Sequence, residues 1–352
     1  MTATFDLQRR TLLFSAAAAA AGALAPSFAL AQTSCTAADA DGWSGVLLVA
    51  GASGRTVVAR GATRPGGPSI TPDTRFNVLS LGKMITGVMV GQLVDAGQVR
   101  MDDRVGTHLP DLPARICDLT VGMLLNHTSG LGDYIAEADF AAINAAERAR
   151  DLLPLVLKAP NTPIGQISYC NCGYAVAGML IERYAGMSYA EAAQRRVFRP
   201  AGMRSAGMRF RQGDALPAQA AAAVAQGRLS VHTLRGGPPG GVFMTAGDVA
   251  RFAQALQSNR LVKAETFTLL TSISAVRDAE HPDGRRRGWG YGFGVTGDGP
   301  GRLYGHTGGL PGAGAAIRLQ EGSGRVVVAL ANQDAVDAAF VSRQAWENSA
   351  CG

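Results

Sequence analysis

Short apolar-rich runs separated by glycine-rich turns lie near the two ends of the chain, and apolar residues recur at helical spacing through its middle. Gly45 to Ala50 and Thr56 to Gly61 are short apolar-rich runs joined by the turn Gly51-Ala52-Ser53-Gly54, which predicts a β-hairpin. From Leu81 onward Met84, Ile85, Val88, Met89 and Leu93 fall on a helical period, with Ser80 where the helix starts and Gly97 as its stop. Helical patterns continue over Val121 to Leu125, Ala142 to Leu157 with Pro154 as a break, Tyr174 to Tyr184 and Ala190 to Arg196. Ala215 to Ala225 fits helix and loop equally. Thr245-Ala246-Gly247-Asp248 has the form of a capping box ahead of a helix from Val249 to Leu256. Strand patterns return at Tyr291 to Val295, Arg302 to His306, Ala313 to Leu319 and Arg325 to Ala331, and Ala335 to Asn348 reads as a closing helix.

Strands at both ends with helices between them predict an α/β (α+β) fold: an antiparallel sheet flanked by helices, built from both chain ends, with an inserted helical lobe. The expected divisions are a leader over 1–31, an α/β lobe over 32–79 and 234–352, and a helical lobe over 80–233. In the leader, Arg9-Arg10 precedes a modest apolar run, Thr11 to Leu24, and then Ala29-Leu30-Ala31, an A-x-A cleavage site. Paired arginines suggest the twin-arginine export route to the periplasm or beyond, with an ordinary secretory signal as the alternative. The run is too short to span a bilayer comfortably, so no stable membrane span is expected after cleavage.

Composition adds two constraints. The net charge of +6 is spread along the chain, with Arg285-Arg286-Arg287 as its one tight run, and this reads as a solvated loop rather than a nucleic-acid patch. The five cysteines match no zinc spacing; Cys35 and Cys351 would be free to bond if the terminal segments pack together, whereas Cys170 and Cys172 are too close for an unstrained bridge.

Candidate chemistry rests on Lys83, one of only three lysines in a chain with 30 arginines (33 Lys+Arg less 3). Lysine, unlike arginine, gives up its proton in a desolvated pocket. Ser80 and Lys83 at i and i+3 share one helix face, and a nucleophile at a helix N-terminus has free N–H groups and the positive end of the dipole beside a developing anion.

Ser80-x-x-Lys83, Tyr169-Cys170-Asn171 and His306-Thr307-Gly308-Gly309 together resemble the three signature elements of the serine β-lactamase and penicillin-binding-protein superfamily. The likeness extends through Leu124-Leu125-Asn126-His127-Thr128-Ser129-Gly130-Leu131 and Gly240-Gly241-Val242-Phe243-Met244-Thr245-Ala246. Its Tyr-x-Asn element is similar to the branch holding class C β-lactamases, D-alanyl-D-alanine carboxypeptidases, D-aminopeptidases and esterases.

The resemblance implies a β-lactamase/transpeptidase-like fold and an acyl-enzyme on Ser80, with no cofactor. Lys83 and Tyr169 are both candidate bases. Asn171 would hold Lys83 and touch the substrate amide, Thr307 would donate to a substrate carboxylate or carbonyl, and the backbone N–H groups of Ser80 and Gly309 would hold the oxyanion. A glycine at 308 would let substrate approach the strand. His306 stands where class C β-lactamases carry lysine and would bind a carboxylate only when protonated. Cys170 reads as a tolerated small residue and His127 as a loop organiser. The expected partner is a small-molecule or peptide substrate: a D-amino-acid peptide or small ester, with peptidoglycan fragments and β-lactams as further candidates. Penicillin and cephalosporin hydrolysis and a non-catalytic sensor are the competing functions.

Overall fold

The computed structural model describes residues 43–52, 54–135, 140–208, 220–226, 228–229, 236–279, 284–334 and 337–348. The leader, Cys35, Cys351 and residues 215–219 of the alanine-rich stretch lie outside the described residues. Its centre is an eight-stranded sheet in the order Gly54–Arg60, Gly45–Gly51, Val326–Ala331, Ala313–Gln320, Leu303–Leu310, Gly294–Thr296, Arg287–Trp289 and Ala275–Asp278. Every neighbouring pair is antiparallel. The predicted sheet from both chain ends is therefore present, with the N-terminal hairpin joined to the last strand.

Period-two alternation works on both faces of this sheet. Val46, Leu48, Ile317, Val328 and Leu330 pack into the main core, while Leu47, Val327, Ala329 and Ala331 pack under the closing helix Ala338–Asn348 with Val341 and Ala345. Burying both faces explains why Val326–Ala331 is an uninterrupted apolar run.

The described elements between Gly82 and Phe198 are helical. The helix Gly82–Asp95 is buried on nearly every side, from Gly82 to Leu93, as a helix through the centre of a core must be. A 3-10 turn, Leu79–Leu81, leads into it and carries Ser80. Leu79 holds φ at 50°, a left-handed conformation rare for a side-chain-bearing residue, and the carbonyl of Leu79 accepts the Gly241 N–H at 3.1 Å.

Several sequence expectations need correction. Pro154 does not break a long helix but sits in the first turn of Leu153–Lys158, where its missing N–H is harmless. His306 does not end its strand, which runs on to Leu310. Arg287 opens a strand rather than lying in a solvated loop, and Arg286 pairs with Asp298 at 3.2 Å. The pattern also missed the helix Ala264–Thr271 and the strands Ala275–Asp278 and Arg287–Trp289.

Candidate active site

Three segments converge on Ser80. The helix Gly82–Asp95 brings Lys83, the residues just before the helix Cys172–Ala185 bring Tyr169 and Asn171, and the strand Leu303–Leu310 brings His306 to Gly309. Lys83 is fully buried; its Nζ donates to Asn171 Oδ1 at 2.5 Å and to the Pro239 carbonyl at 2.8 Å, and lies 3.4 Å from Ser80 Oγ. Burial pushes Lys83 down from 10.5 to about 7, opposed by the Asp133 carboxylate. A neutral amine has two N–H groups and one lone pair. In the charged form the third N–H points to Ser80 Oγ; in the neutral form, with both N–H groups taken by the Asn171 and Pro239 oxygens, the lone pair takes that place.

Tyr169 exposes 39% of its surface and lines the cleft beside Ser80 and Asn171. Burial of its inner part raises its pKa well above 10, opposed by the neighbouring Ser80 hydroxyl. Tyr169 is thus a protonated phenol, and the Lys83 amine is 4.9 Å from its ring centre. His127 stacks on the same ring at 4.4 Å between centroids, and its Nδ1 accepts the Cys170 N–H at 3.1 Å, which makes it the loop organiser the sequence suggested. Cys170 is buried and free, its sulfur accepting from the Gly173 N–H at 3.1 Å.

The strand adds two constraints. A Cβ on Gly308 would lie 2.7 Å from Leu79 Cβ and 2.8 Å from Ser80 N, so the nucleophile turn by itself already requires glycine here. His306 is buried between Trp289 and Tyr169, with ring centroids at 5.4 and 6.3 Å, and its Nδ1 donates to the Thr307 carbonyl at 2.5 Å. Burial first, and the Lys83 charge second, push His306 down from 6.5 to about 3. Both causes favour the neutral imidazole, which argues against a cationic anchor for a carboxylate at this position. Thr307 is exposed on this strand, and Gly309 and Leu310 line the cleft.

The cleft in front of Ser80 encloses about 740 Å³. Ser80, Tyr169, Asn171 and Asp133 line its reactive end; Ile143, Ala149 and Leu152 give it apolar wall; and Glu147, Arg148 and Glu191 add charge. Asp133 was not foreseen. Its carboxylate accepts both hydrogen bonds of the Asn171 amide, at 3.0 and 2.9 Å, which fixes that amide with its oxygen toward Lys83. The available signal was its place two residues after Leu131, at the end of a segment already matched. Pro239 acts through its backbone, so no side-chain pattern marked it.

A fold of this kind, with Ser-x-x-Lys at the start of its central helix and Tyr-x-Asn opposite, defines a serine hydrolase, and the comparisons agree. The beta-lactamase family model matches residues 31–349, and the chain belongs to that family. It is 32% identical to penicillin-binding protein 4 of Amycolatopsis lactamdurans over 304 residues, 76% of this chain and 75% of that one. It is 31% identical to a D-aminopeptidase of Brucella anthropi over 143 residues, 39% of this chain and 27% of that protein. Among solved structures, a penicillin-binding protein from Bacillus halodurans superposes with a TM-score of 0.76 at 26% identity, covering 88% of this chain and 96% of the other.

Proposed function

We propose that this serine hydrolase works through an acyl-enzyme on Ser80 and prefers acyl donors derived from D-amino acids with a free α-amine: amides, short peptides or small esters. As Ser80 Oγ bonds to the substrate carbonyl carbon, its proton passes to the Lys83 lone pair. The C–N or C–O bond then breaks as Tyr169 gives its proton to the leaving group and regains one from Lys83. Water repeats the sequence in reverse roles to release the acid. The 2.8 Å spacing between a Gly308 Cβ and Ser80 N supports a shared oxyanion site for the Ser80 and Gly309 amides, because it brings the strand against the nucleophile turn.

The observation that carries the substrate preference is the charge around the reacting carbonyl. Three carboxylates, Asp133, Glu147 and Glu191, and one guanidinium, Arg148, line the cleft. Asp133 is the formal charge nearest the Lys83–Asn171 pair, and His306 is neutral. An ammonium group is favoured there and a carboxylate is not. The D-aminopeptidase relative supports the same class.

Residues 1–31 are proposed to be an export leader that sends the enzyme to the periplasm or outside the cell. No described helix is long and apolar enough to cross a membrane. The lobes 32–79 with 234–352, and 80–233, are proposed to meet at the cleft. Slow acylation by penicillin is the second reading, favoured by the penicillin-binding relative.

Hydrolysis of D-alanine p-nitroanilide and of its N-acetyl form tests the preference. The free amine should give at least a tenfold higher kcat/KM, reduced in Asp133→Asn. A higher kcat/KM for the N-acetyl substrate overturns the amine reading.

A further inference from the structure

Behind Lys83 a second, fully buried hydrogen-bond chain runs away from the reacting atoms. Thr86 lies one turn further along the same helix and is 0% exposed. Its Oγ1 donates to the Pro238 carbonyl at 2.6 Å and is 2.6 Å from the Tyr189 hydroxyl. A threonine has one hydroxyl proton and a carbonyl can only accept, so the direction is settled: Tyr189 O–H donates to Thr86, and Thr86 O–H donates to Pro238. Burial raises the Tyr189 pKa, which keeps this phenol a donor.

The next carbonyl along the chain, that of Pro239, is the one that accepts Lys83 Nζ. Pro238 and Pro239 have no N–H groups, so neither can be tied down by donating from the backbone. The loop is pinned instead at its ends. Gly237 and Gly240 exchange N–H to carbonyl bonds at 2.8 and 3.0 Å, and Gly241 N–H binds the Leu79 carbonyl. Between these pins, the Thr86 bond to Pro238 is a side-chain tether reaching the proline pair from the catalytic helix.

We propose that Thr86 is a positioning residue: by holding the Pro238 carbonyl it sets the Pro239 carbonyl on one Lys83 N–H and so aims the amine lone pair at Ser80. The proposal rests on Lys83 being the base. Five other titratable groups face or act on Lys83: Tyr169 and Cys170 ahead of the helix Cys172–Ala185, Tyr174 on that helix, Asp133 beside Asn171, and His306 from the strand. His127, from the loop after Val121–Leu125, is a sixth. None of them touches Thr86 in the hydrogen bonds above, so changing Thr86 alters the acceptor geometry and leaves those charges in place.

The test measures p-nitrophenyl butyrate hydrolysis from pH 5 to 9 by wild type, Thr86→Val, Thr86→Ser and Lys83→Arg. Valine keeps the shape and removes the hydroxyl. Its kcat should fall ten- to a hundredfold with KM changed less than about threefold. Because carbonyl acceptors favour the charged amine over the neutral one, loosening Pro239 should move the acid limb of kcat/KM to lower pH by about half a unit. Thr86→Ser should restore kcat and the limb. An unmoved acid limb in Thr86→Val, or a serine variant as poor as valine, overturns the proposal. If valine prevents folding, Thr86→Ala carries the same expectations. Wild-type-like turnover by Lys83→Arg would instead overturn the base assignment, so the two failures are distinguishable.

Discussion

Gly308 and Ser80 are so close that a methyl group on Gly308 would stand 2.8 Å from the Ser80 amide nitrogen. Nothing lies within 4 Å of the equivalent point on Gly309. Gly308→Ala should therefore push the strand off the nucleophile turn, lowering stability by about 1–3 kcal/mol and abolishing most activity. Gly309→Ala should keep wild-type stability and impair turnover alone. Thermal unfolding and ester hydrolysis of both variants check the contrast; equal stability loss would refute it.

Lys83→Arg should be nearly as damaging as Lys83→Ala. Arginine retains the charge but not the ability to deprotonate Ser80. A charge-only role for Lys83 would show as an arginine variant far more active than alanine in steady-state kinetics.

Tyr169→Phe removes the proton donor and keeps the ring that stacks on His127. Turnover should fall by roughly 10² to 10⁴-fold, more for an anilide than for a nitrophenyl ester, whose leaving group needs no proton. An equal loss on both substrates would place Tyr169 in the wall of the cleft rather than on the proton path.

The pH profile of kcat/KM should show one acid limb near pH 7, from Lys83, and none from His306, whose pKa burial pushes down to about 3. Loss of activity below the limb is expected because protonated Lys83 is no longer a base. A His306→Asn variant that shifts a limb between pH 5 and 6.5 would show that His306 is charged in the working enzyme after all.

Stability carries the same signature. With Lys83 at about 7 folded and 10.5 unfolded, the unfolded chain binds the extra proton between those values. Raising the pH through that window favours the folded state, and stability is lost again as pH falls toward 7. The slope approaches about 1.4 kcal/mol per pH unit. Urea unfolding of wild type and Lys83→Met at pH 7.5 and 9.5 should show the wild type gaining about 2 kcal/mol relative to the variant. A constant difference would mean that Lys83 titrates normally.

What the sequence revealed and what it hid follow from how each feature is encoded. The i, i+3 pair Ser80 and Lys83 and the Tyr169 to Asn171 element are local patterns of side chains, and the fold brings them within hydrogen-bond reach. Val326–Ala331 was legible because both of its faces are apolar, and Gly45–Gly51 because it is an apolar run ending in a glycine-rich turn. Arg287–Trp289 and Ala275–Asp278 were not, since three or four residues, a bulge and two arginines leave no readable alternation. Trp289, on one of those strands, then supplies an unforeseen wall to both His127 and His306. The reversal at His306 has the same origin: its neutrality is produced by tertiary burial, which no local spacing records.

The most direct test of the account is intact-protein mass spectrometry after exposure to a fluorophosphonate, followed by peptide mapping, in wild type and Ser80→Ala. Wild type should gain one adduct, mapped to Ser80, and the alanine variant none while retaining its fold. Stoichiometric labelling of Ser80→Ala, or an adduct at another residue of the wild type, would contradict the central claim.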